Sequence, residues 1–429
     1  MIRADARLRV VLVNYNGGDL LKRAVRTALA SQWPGEIDVV VVDNASTDDS
    51  LDAIDGLTNV HLIRNDTNEG FSANNHGLAD LIGDEFSLQL PEPDVVALLN
   101  PDAAVRPEAF RRLAGVLEVD KKIGVATPTI LFDRPFIECH ILAGDDPLII
   151  SHIKCGDDDL ASQCHGVNGA ERFPGPGGPV WHCPHRSILR VPVTTVGGDL
   201  ELGVERGEGV IDGESVSEGM VYTSFMAGRP SLRIVQNAGV RIDSAGVGHS
   251  RGFAKRVDEQ LGPVAALWTG AAAVFHADYF RTVGGFDPGY FLYYEDVELG
   301  LRGLANGWIT AHVPDAIVEH RHSDRTVQGS ELVEVMQHKN RLLTQVRHGS
   351  KVDVAKTFGR AALTPVSLAA SALRSPGERH ERLRLAKWRA QALRDAVKGL
   401  PEAREARDLI DQGRTVESDE VQRIARREH

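Results

Sequence analysis

The sequence predicts an α/β fold, a doubly wound sheet that is mixed but mostly parallel and is flanked by helices. Three observations predict it. Short β-branched apolar runs recur through the first hundred residues, each closes in a turn rich in Asn, Asp and Gly, and stretches with helical spacing follow. Unbroken apolar runs mark strands buried on both faces, as in parallel sheets. Repeated strand, turn and helix units gather their loops on one sheet edge, where open α/β folds bind ligands.

Taken in order, Leu8 to Val13 is the first strand and Asn14-Tyr15-Asn16-Gly17-Gly18 the turn after it. Leu21, Val25, Ala28 and Leu29 then recur at helical spacing within Leu20 to Ser31. Ile37 to Val42 is the second strand, closed by Asp43-Asn44-Ala45-Ser46-Thr47-Asp48, where Ser46 or Thr47 would cap a following helix. Asp43 is placed to accept hydrogen bonds from a base or ribose, or to cap that helix itself. Val60 to Ile63 is a third strand, followed by Asn68-Glu69-Gly70-Phe71 and a helix carrying Asn74 and Asn75. Val95 to Leu99, the fourth strand, ends in Asn100-Pro101-Asp102. A carboxylate there, with an amide two residues before it, suits a divalent cation held against a diphosphate. A plain polar turn with Pro at its second position is the alternative.

Further on, Trp268-Thr269-Gly270-Ala271-Ala272 starts a strand whose small residues let backbone approach a ligand, or simply permit close packing. Gly284-Gly285-Phe286-Asp287 makes a turn, and Tyr293-Tyr294-Glu295-Asp296 opens a helix from Val297 to Ala305. Carboxylates in a first turn also complement the helix dipole. A short strand, Thr310 to Val313, and a turn at Pro314-Asp315 lead to His320, whose neutral imidazole is a good divalent ligand. His322 and Arg325 are placed to meet phosphate oxygens.

Composition narrows the function. The 429 residues suffice for two or three domains, and the net charge of −12 argues against a nucleic-acid partner, whose phosphates need a basic face. No G-x-G-x-x-G follows the first strand and no P-loop is present, which excludes two familiar nucleotide folds. The Gly-rich, Arg-containing loop of sugar-nucleotide pyrophosphorylases is also missing at Asn14 to Gly18. Met1 to Arg9 lacks an apolar core of signal-peptide type, and no window offers about 20 apolar residues to span a bilayer. A cytoplasmic location is therefore expected, and four cysteines do not make a disulfide framework.

The stretches VVLVNYNGG, VVVVDNASTDDS, NEGFSANN and LLNPDA, in that order, resemble the successive motifs of inverting glycosyltransferase family 2, which has the GT-A fold. WTGAAAVFHADYFRTVGGFDPGYFLYYEDVELGLRGLANGW and VPDAIVEHRH continue the pattern. Its bacterial rhamnosyltransferase-like branch is the best match. The resemblance implies a nucleotide-sugar-binding half over 1–131 and an acceptor and catalytic half over 241–330. It implies that Asp43 contacts the base or ribose, with Asn14, Tyr15, Asn44, Asn74 and Asn75 around the same pocket and Gly270 near the donor sugar. Asp102 matches the last carboxylate of the family's D-x-D metal motif, with Asn100 where the first often stands. A divalent metal, Mg2+ or Mn2+, is implied, with His320 as a further ligand. Asp296 matches the catalytic base and Glu295 the residue that orients it or the acceptor. The implied partners are a nucleoside diphosphate sugar, dTDP-rhamnose before UDP-sugars, and a glycan or lipid-linked acceptor in cell-envelope or surface polysaccharide synthesis. A scaffold that keeps the fold without the chemistry is the alternative.

Two regions depart from the family. From 132 to 240 the chain is Gly- and Pro-rich, and Cys139, Cys155, Cys164 and Cys183 all fall there among several histidines. A structural zinc stapling an insert without a core is one reading; scattered, partly buried Cys and His are the other. From 331 to 429 the chain turns helical and carries more Lys and Arg than Asp and Glu. Leu383, Ala386, Ala390, Leu393, Val397 and Leu400 recur at spacings of three and four among bases. That pattern suits either a helix on an anionic membrane surface or one docked on the protein or in a homodimer seam. Thr415 to His429 reads as a polar end that frays.

Overall fold

The computed structural model describes residues 2–84, 88–175, 178–193, 199–225, 229–259, 261–321, 330–374 and 379–427. His322 and Arg325 lie outside these. The chain forms two compact units, one of Met1–Ile130, Asn237–Arg251 and Leu261–His429, the other of Leu131–Gln236 and Gly252–Gln260.

The first unit is built on strands β1 (Arg7–Asn14), β2 (Glu36–Asp43), β3 (Val60–Arg64), β4 (Val95–Leu99), β5 (Ala103–Val105), β6 (Ile123–Phe132), β7 (Ala272–His276) and β8 (Ile309–His320), in the sheet order β3-β2-β1-β4-β7-β6-β8-β5. The first four in that order run parallel, and β7 enters antiparallel to β4. This mixed, mostly parallel sheet flanked by helices is the GT-A fold. Val10, Val39, Val41 and Ala97 bury one face of it against α1 (Asp19–Leu29) and α2 (Ala109–Leu117). Val11, Val40, Val96 and Leu98 bury the other face against Ala73, Leu78, Trp268, Phe275 and Phe280. Strands covered on both sides have no polar alternation, which is why these runs are legible.

Three local expectations change. No helix follows β2; residues 51–56 are turns, and Ser46 binds Asp43 instead of capping. The segment carrying Asn74 and Asn75 is a 3-10 helix, Gly70–Leu78, with only one α-turn after it. It is pinned to β1 by Arg9, which is 1% exposed and gives two hydrogen bonds to the Asp80 carboxylate, at 2.5 and 2.9 Å. Pro314-Asp315 makes no turn, because β8 runs unbroken through it and places His320 at its last position.

Helices α3 (Ala277–Val283) and α4 (Glu295–Ala305) follow β7. After β8 come α5 (Glu331–His348), α6 (Lys351–Ala372), α7 (Arg379–Lys398), α8 (Leu400–Gly413) and α9 (Ser418–Ala425). Val421 and Ala425 of α9 are buried against α4, so the segment expected to fray is docked.

The second unit has the core that its Gly and Pro content argued against. One antiparallel sheet orders its strands 165–167, 187–192, 136–143, 208–211, 214–217; a second orders 171–175, 178–183, 148–155, 199–206, 221–225. Alternate residues of both, among them Ile137, Ile141, Ile150, Leu189, Leu202 and Ile211, share one apolar core. All four cysteines lie in it and none forms a disulfide. Burial pushes the Cys139 and Cys183 thiols up to about 12 and Cys164 well above its usual range, which disfavours the thiolates a metal needs. No three Cys, His, Asp or Glu side chains converge among the described residues. Apolar packing holds this unit together.

Candidate active site

The carboxyl ends of β1 and β2 form the first part of the site. Parallel pairing puts Asn14 beside Asp43. Asn14 is fully buried, and its Nδ2 donates to Asp43 Oδ1 at 2.8 Å, Ser46 Oγ at 3.0 Å and Ser50 Oγ at 2.9 Å. Asp43 also accepts from the Ser46 hydroxyl and backbone N–H, which leaves few of its lone pairs uncommitted. Asn44 is satisfied inside the protein by Asn65, Asn68 and the Gly70 carbonyl. Tyr15 stands at the surface.

The 3-10 segment divides its two asparagines. Asn74 donates to the Phe71 carbonyl at 2.8 Å, which shapes the turn next to Asn44. Asn75 exchanges two hydrogen bonds of 2.8 Å with the Phe286 backbone, so it fastens the 3-10 segment to the turn before α4. Gly70 is required there twice over. Its φ is +68°, and a Cβ would come within 2.1 Å of the Phe291 carbonyl oxygen.

At the end of β4 the structure brings Asp102 and His320 together. Antiparallel pairing of β5 with β8 sets His320 opposite Ala103, so His320 Nε2 reaches Asp102 Oδ1 at 3.0 Å. The Asn100 side-chain amide lies 3.4 Å from the same nitrogen. Two ligands of one small divalent cation, each about 2.1 Å from it and at right angles, would stand about 3 Å apart. The Asp102 carboxylate and the His320 imidazole therefore stand at a separation that two ligands of one cation take, whereas Asn100 turns its Nδ2, a donor and not a metal ligand, toward His320.

A short backbone path leads from there to the acidic pair. The Asn100 N–H donates to the Ala271 carbonyl at 3.0 Å, and the preceding residue, Gly270, donates its N–H to Asp296 Oδ2 at 2.9 Å. Asp296 Oδ1 also accepts from the Val297 N–H at 2.7 Å. Glu295 is buried, and its Oε2 finds no hydrogen-bond partner among the described residues. Burial, and then the charge of Asp296 beside it, drive the Glu295 carboxyl well above the carboxylate range; burial raises Asp296 as well, against the pull of its backbone donors. Both carboxyls are thus held above the ordinary carboxylate range, the protonated form being favoured by burial at each. Raised carboxyls are better proton acceptors near neutrality.

The pair is delivered by a constrained loop. Phe291, Tyr293 and Tyr294 all have positive φ, at 57°, 69° and 70°, which L-residues adopt only under restraint. The restraint comes from α5. Asn340 Nδ2 lies 2.8, 2.9 and 2.7 Å from the carbonyl oxygens of Tyr290, Leu292 and Tyr293. One turn later Thr344 binds the Tyr290 hydroxyl at 2.9 Å. The Tyr294 hydroxyl donates to the Gly246 carbonyl at 3.0 Å. On the next turn of α4, Glu298 meets Arg302 at 2.9 Å, His348 at 3.3 Å and Arg347 at 3.6 Å, tying α4 to the end of α5.

Sequence reading missed Asn340 and Glu298. Glu298 and Arg302 stand four apart on a helix, a pairing signal available in the sequence. Asn340 offered only the weaker sign of a polar residue on a buried helical stripe with Val333, Thr344 and Arg347.

Two family models match the chain, "Glycosyl transferase family 2" over residues 9–140 and "Glycosyl transferase family group 2" over 240–341. The chain belongs to glycosyltransferase family 2. It is similar to the N-acetylglucosaminyl-diphospho-decaprenol L-rhamnosyltransferase of Mycobacterium tuberculosis, 39% identical over 72 residues that make up 17% of this chain and 23% of that protein. It is also similar to an uncharacterized glycosyltransferase of Nostoc sp., 30% identical over 119 residues, 28% of this chain and 35% of that one. These matches span between about a quarter and about a third of the relatives' lengths. Among solved structures it resembles GalNAc-T7 with UDP, GalNAc and Mn2+, with TM-score 0.48, 15% identity and coverage of 92% of this chain and 57% of the other. A mannosyltransferase from Pyrobaculum calidifontis in complex with GDP-Man and Mn2+ gives TM-score 0.41 and 12% identity, with 92% and 87% covered.

Proposed function

We propose that this protein is a metal-dependent inverting glycosyltransferase that moves a sugar from a nucleoside diphosphate to a hydroxyl of a glycan or lipid-linked acceptor. The observation that carries this reading is the convergence at one sheet edge of the Asp102–His320 pair and the Glu295–Asp296 pair, linked through Asn100, Ala271 and Gly270.

In this reading Asp43, with Asn14 holding its carboxylate, receives the base or ribose, and Asn74 shapes the wall beside it. Tyr15 is free to lie over the nucleotide. Asp102 and His320 would hold the divalent cation, which would supply positive charge for the leaving diphosphate, with Asn100 beside them on the nucleotide-sugar side. With only one protein carboxylate on it, the ion binds mainly together with the nucleotide. Asp296 accepts the proton of the acceptor hydroxyl. The oxygen forms its bond to the anomeric carbon as the bond to the diphosphate breaks on the opposite face, so the configuration inverts. Protonated Glu295 donates a hydrogen bond that orients the acceptor. The similarity to a protein named as an L-rhamnosyltransferase supports a rhamnosyl donor; dTDP-rhamnose, with UDP-sugars next, and a role in cell-envelope polysaccharide assembly are the donor and setting proposed.

A thermal-shift series with dTDP, UDP and their sugars, each with and without Mn2+, tests the reading, since a ligand of the folded state raises the melting temperature. Stabilisation that needs nucleotide and Mn2+ together, and that disappears in Asp102→Ala, is expected. The absence of any nucleotide effect would favour a scaffold that has kept the fold without the chemistry.

A further inference from the structure

The helical pattern from Leu383 to Leu400 offers one candidate for a membrane-facing surface, but the structure uses most of that face internally. Leu393, Ala396 and Leu400 join Leu342, Leu343 and Val346 of α5 in a core, and Trp388 and Ala392 pack on Val335. Among the described residues, an apolar face left uncovered belongs to α6. Its inner side, with Val354, Phe358 and Ala361, packs on the same α5 core. Its outer side presents Val352, Leu363 and Val366, with Leu373 just beyond its end, at 58%, 69%, 65% and 74% exposure. Exposed Ala355, Gly359, Ala362 and Ala370 fill the gaps, so the positions 352, 355, 359, 362, 363, 366, 370 and 373 form one continuous helical stripe.

Charge says what covers it. Lys356, Arg360 and Arg374 are exposed along one border of the stripe and Lys351 begins the helix. The only acid of α6, Asp353, is turned inward and bound to Arg426 at 2.7 Å. A chain with a net charge of −12 thus carries a helix whose exposed charges are all positive. A second copy seated on this stripe would bring like charges together, whereas an anionic lipid surface accepts both the apolar residues and the bases.

We propose that α6 lies on an anionic membrane surface, with Leu363, Val366 and Leu373 inserted at the acyl boundary and Lys356, Arg360 and Arg374 against lipid phosphates. This inference does not depend on the glycosyltransferase reading, because it concerns a face that holds none of the site residues.

The test is flotation of the full chain with vesicles of phosphatidylcholine, with or without phosphatidylglycerol, in the absence of nucleotide. Binding to the anionic vesicles is expected, weakening as salt is raised. The double substitution Leu363→Glu with Val366→Glu should reduce it at least about tenfold, since both the apolar and the charge contributions are reversed. Lys356→Glu with Arg360→Glu should weaken anionic binding more than neutral binding. Both variants replace exposed side chains and should keep the wild-type melting temperature and nucleotide-dependent shift. Failure of the wild type to float with anionic vesicles would overturn the proposal. So would flotation untouched by the Leu363/Val366 variant, or light scattering in which that variant converts a dimer to a monomer, which would make the stripe a seam between copies. A failed nucleotide shift with intact flotation would count against the catalytic reading alone.

Discussion

Helix α4 carries two buried glutamates three residues apart, and they meet opposite environments. Glu298 is 1% exposed and surrounded by Arg302, His348 and Arg347. Burial alone would raise its carboxyl, but those partners outweigh burial and hold it far below the usual range. Glu295 is 8% exposed, has one oxygen without a partner among the described residues, and lies next to Asp296, so burial and like charge act in the same direction and raise it. A buried carboxylate with partners fastens one helix to another. One whose burial is not offset by partners is favoured in its protonated form, in which it can donate a hydrogen bond.

The contrast can be broken at the first turn or the second. The largest stability change is expected at the second. Glu298→Ala leaves Arg302, Arg347 and His348 buried around a missing charge and should cost about 3–5 kcal/mol in denaturant unfolding. The ordinary glutamate value is 4.5 and the folded value lies below it, so the stabilisation by Glu298 is complete above pH 4.5 and is lost as pH falls toward the folded value. The loss caused by the substitution should therefore shrink in acid.

Removing the clamp tests whether the loop ahead of the pair is held from α5. Asn340→Ala leaves the Tyr290, Leu292 and Tyr293 carbonyls without their donor, at a cost of about 1–3 kcal/mol. Turnover should fall while the Mn2+-dependent nucleotide shift survives. Equal loss of both would mean that Asn340 only supports the fold.

Glu295→Gln should go the other way. A raised carboxyl destabilises the folded state once pH exceeds the ordinary value of 4.5, and the penalty grows as pH rises toward the folded value. The substitution should add about 0.5–2 kcal/mol at neutral pH, add nothing well below pH 4.5, and lower activity. A variant that is destabilised at neutral pH would contradict the environment described for Glu295.

The smallest effect concerns the second unit. With Cys139, Cys164 and Cys183 buried as thiols in an apolar core, a thiol reagent should leave them unmodified in native protein and react after unfolding, and metal analysis should find no zinc.

Much of this molecule could be read before its structure. VVLVN, VVVVDN and VALLN announce strands because they are covered on both faces, and the polar residues that close them fall at one sheet edge. The meeting of Asp102 with His320 depends on the pairing of β5 with β8, which no local signal carries, and β8 itself was hidden by Pro314 and Asp315 within it. Asn75 looked like its neighbour Asn74; only the approach of Phe286 separates their tasks. The core of the second unit escaped notice because Gly- and Pro-rich stretches interrupt its strands and its cysteines occupy inward positions that apolar residues usually mark. Asn340 acts through its position opposite Tyr290 to Tyr293, a relation set by packing between elements about fifty residues apart.

The most direct measurement is turnover of Asp296→Asn beside its nucleotide binding. Asparagine keeps one oxygen for the Gly270 N–H, gives up the bond from the Val297 N–H, and is a very poor acceptor of the acceptor-hydroxyl proton. Transfer should fall by about 10²–10⁴-fold, with the melting temperature and the Mn2+-dependent nucleotide shift retained. Near wild-type turnover in a folded Asp296→Asn protein would contradict the assignment of the base and, with it, the mechanism proposed for this site.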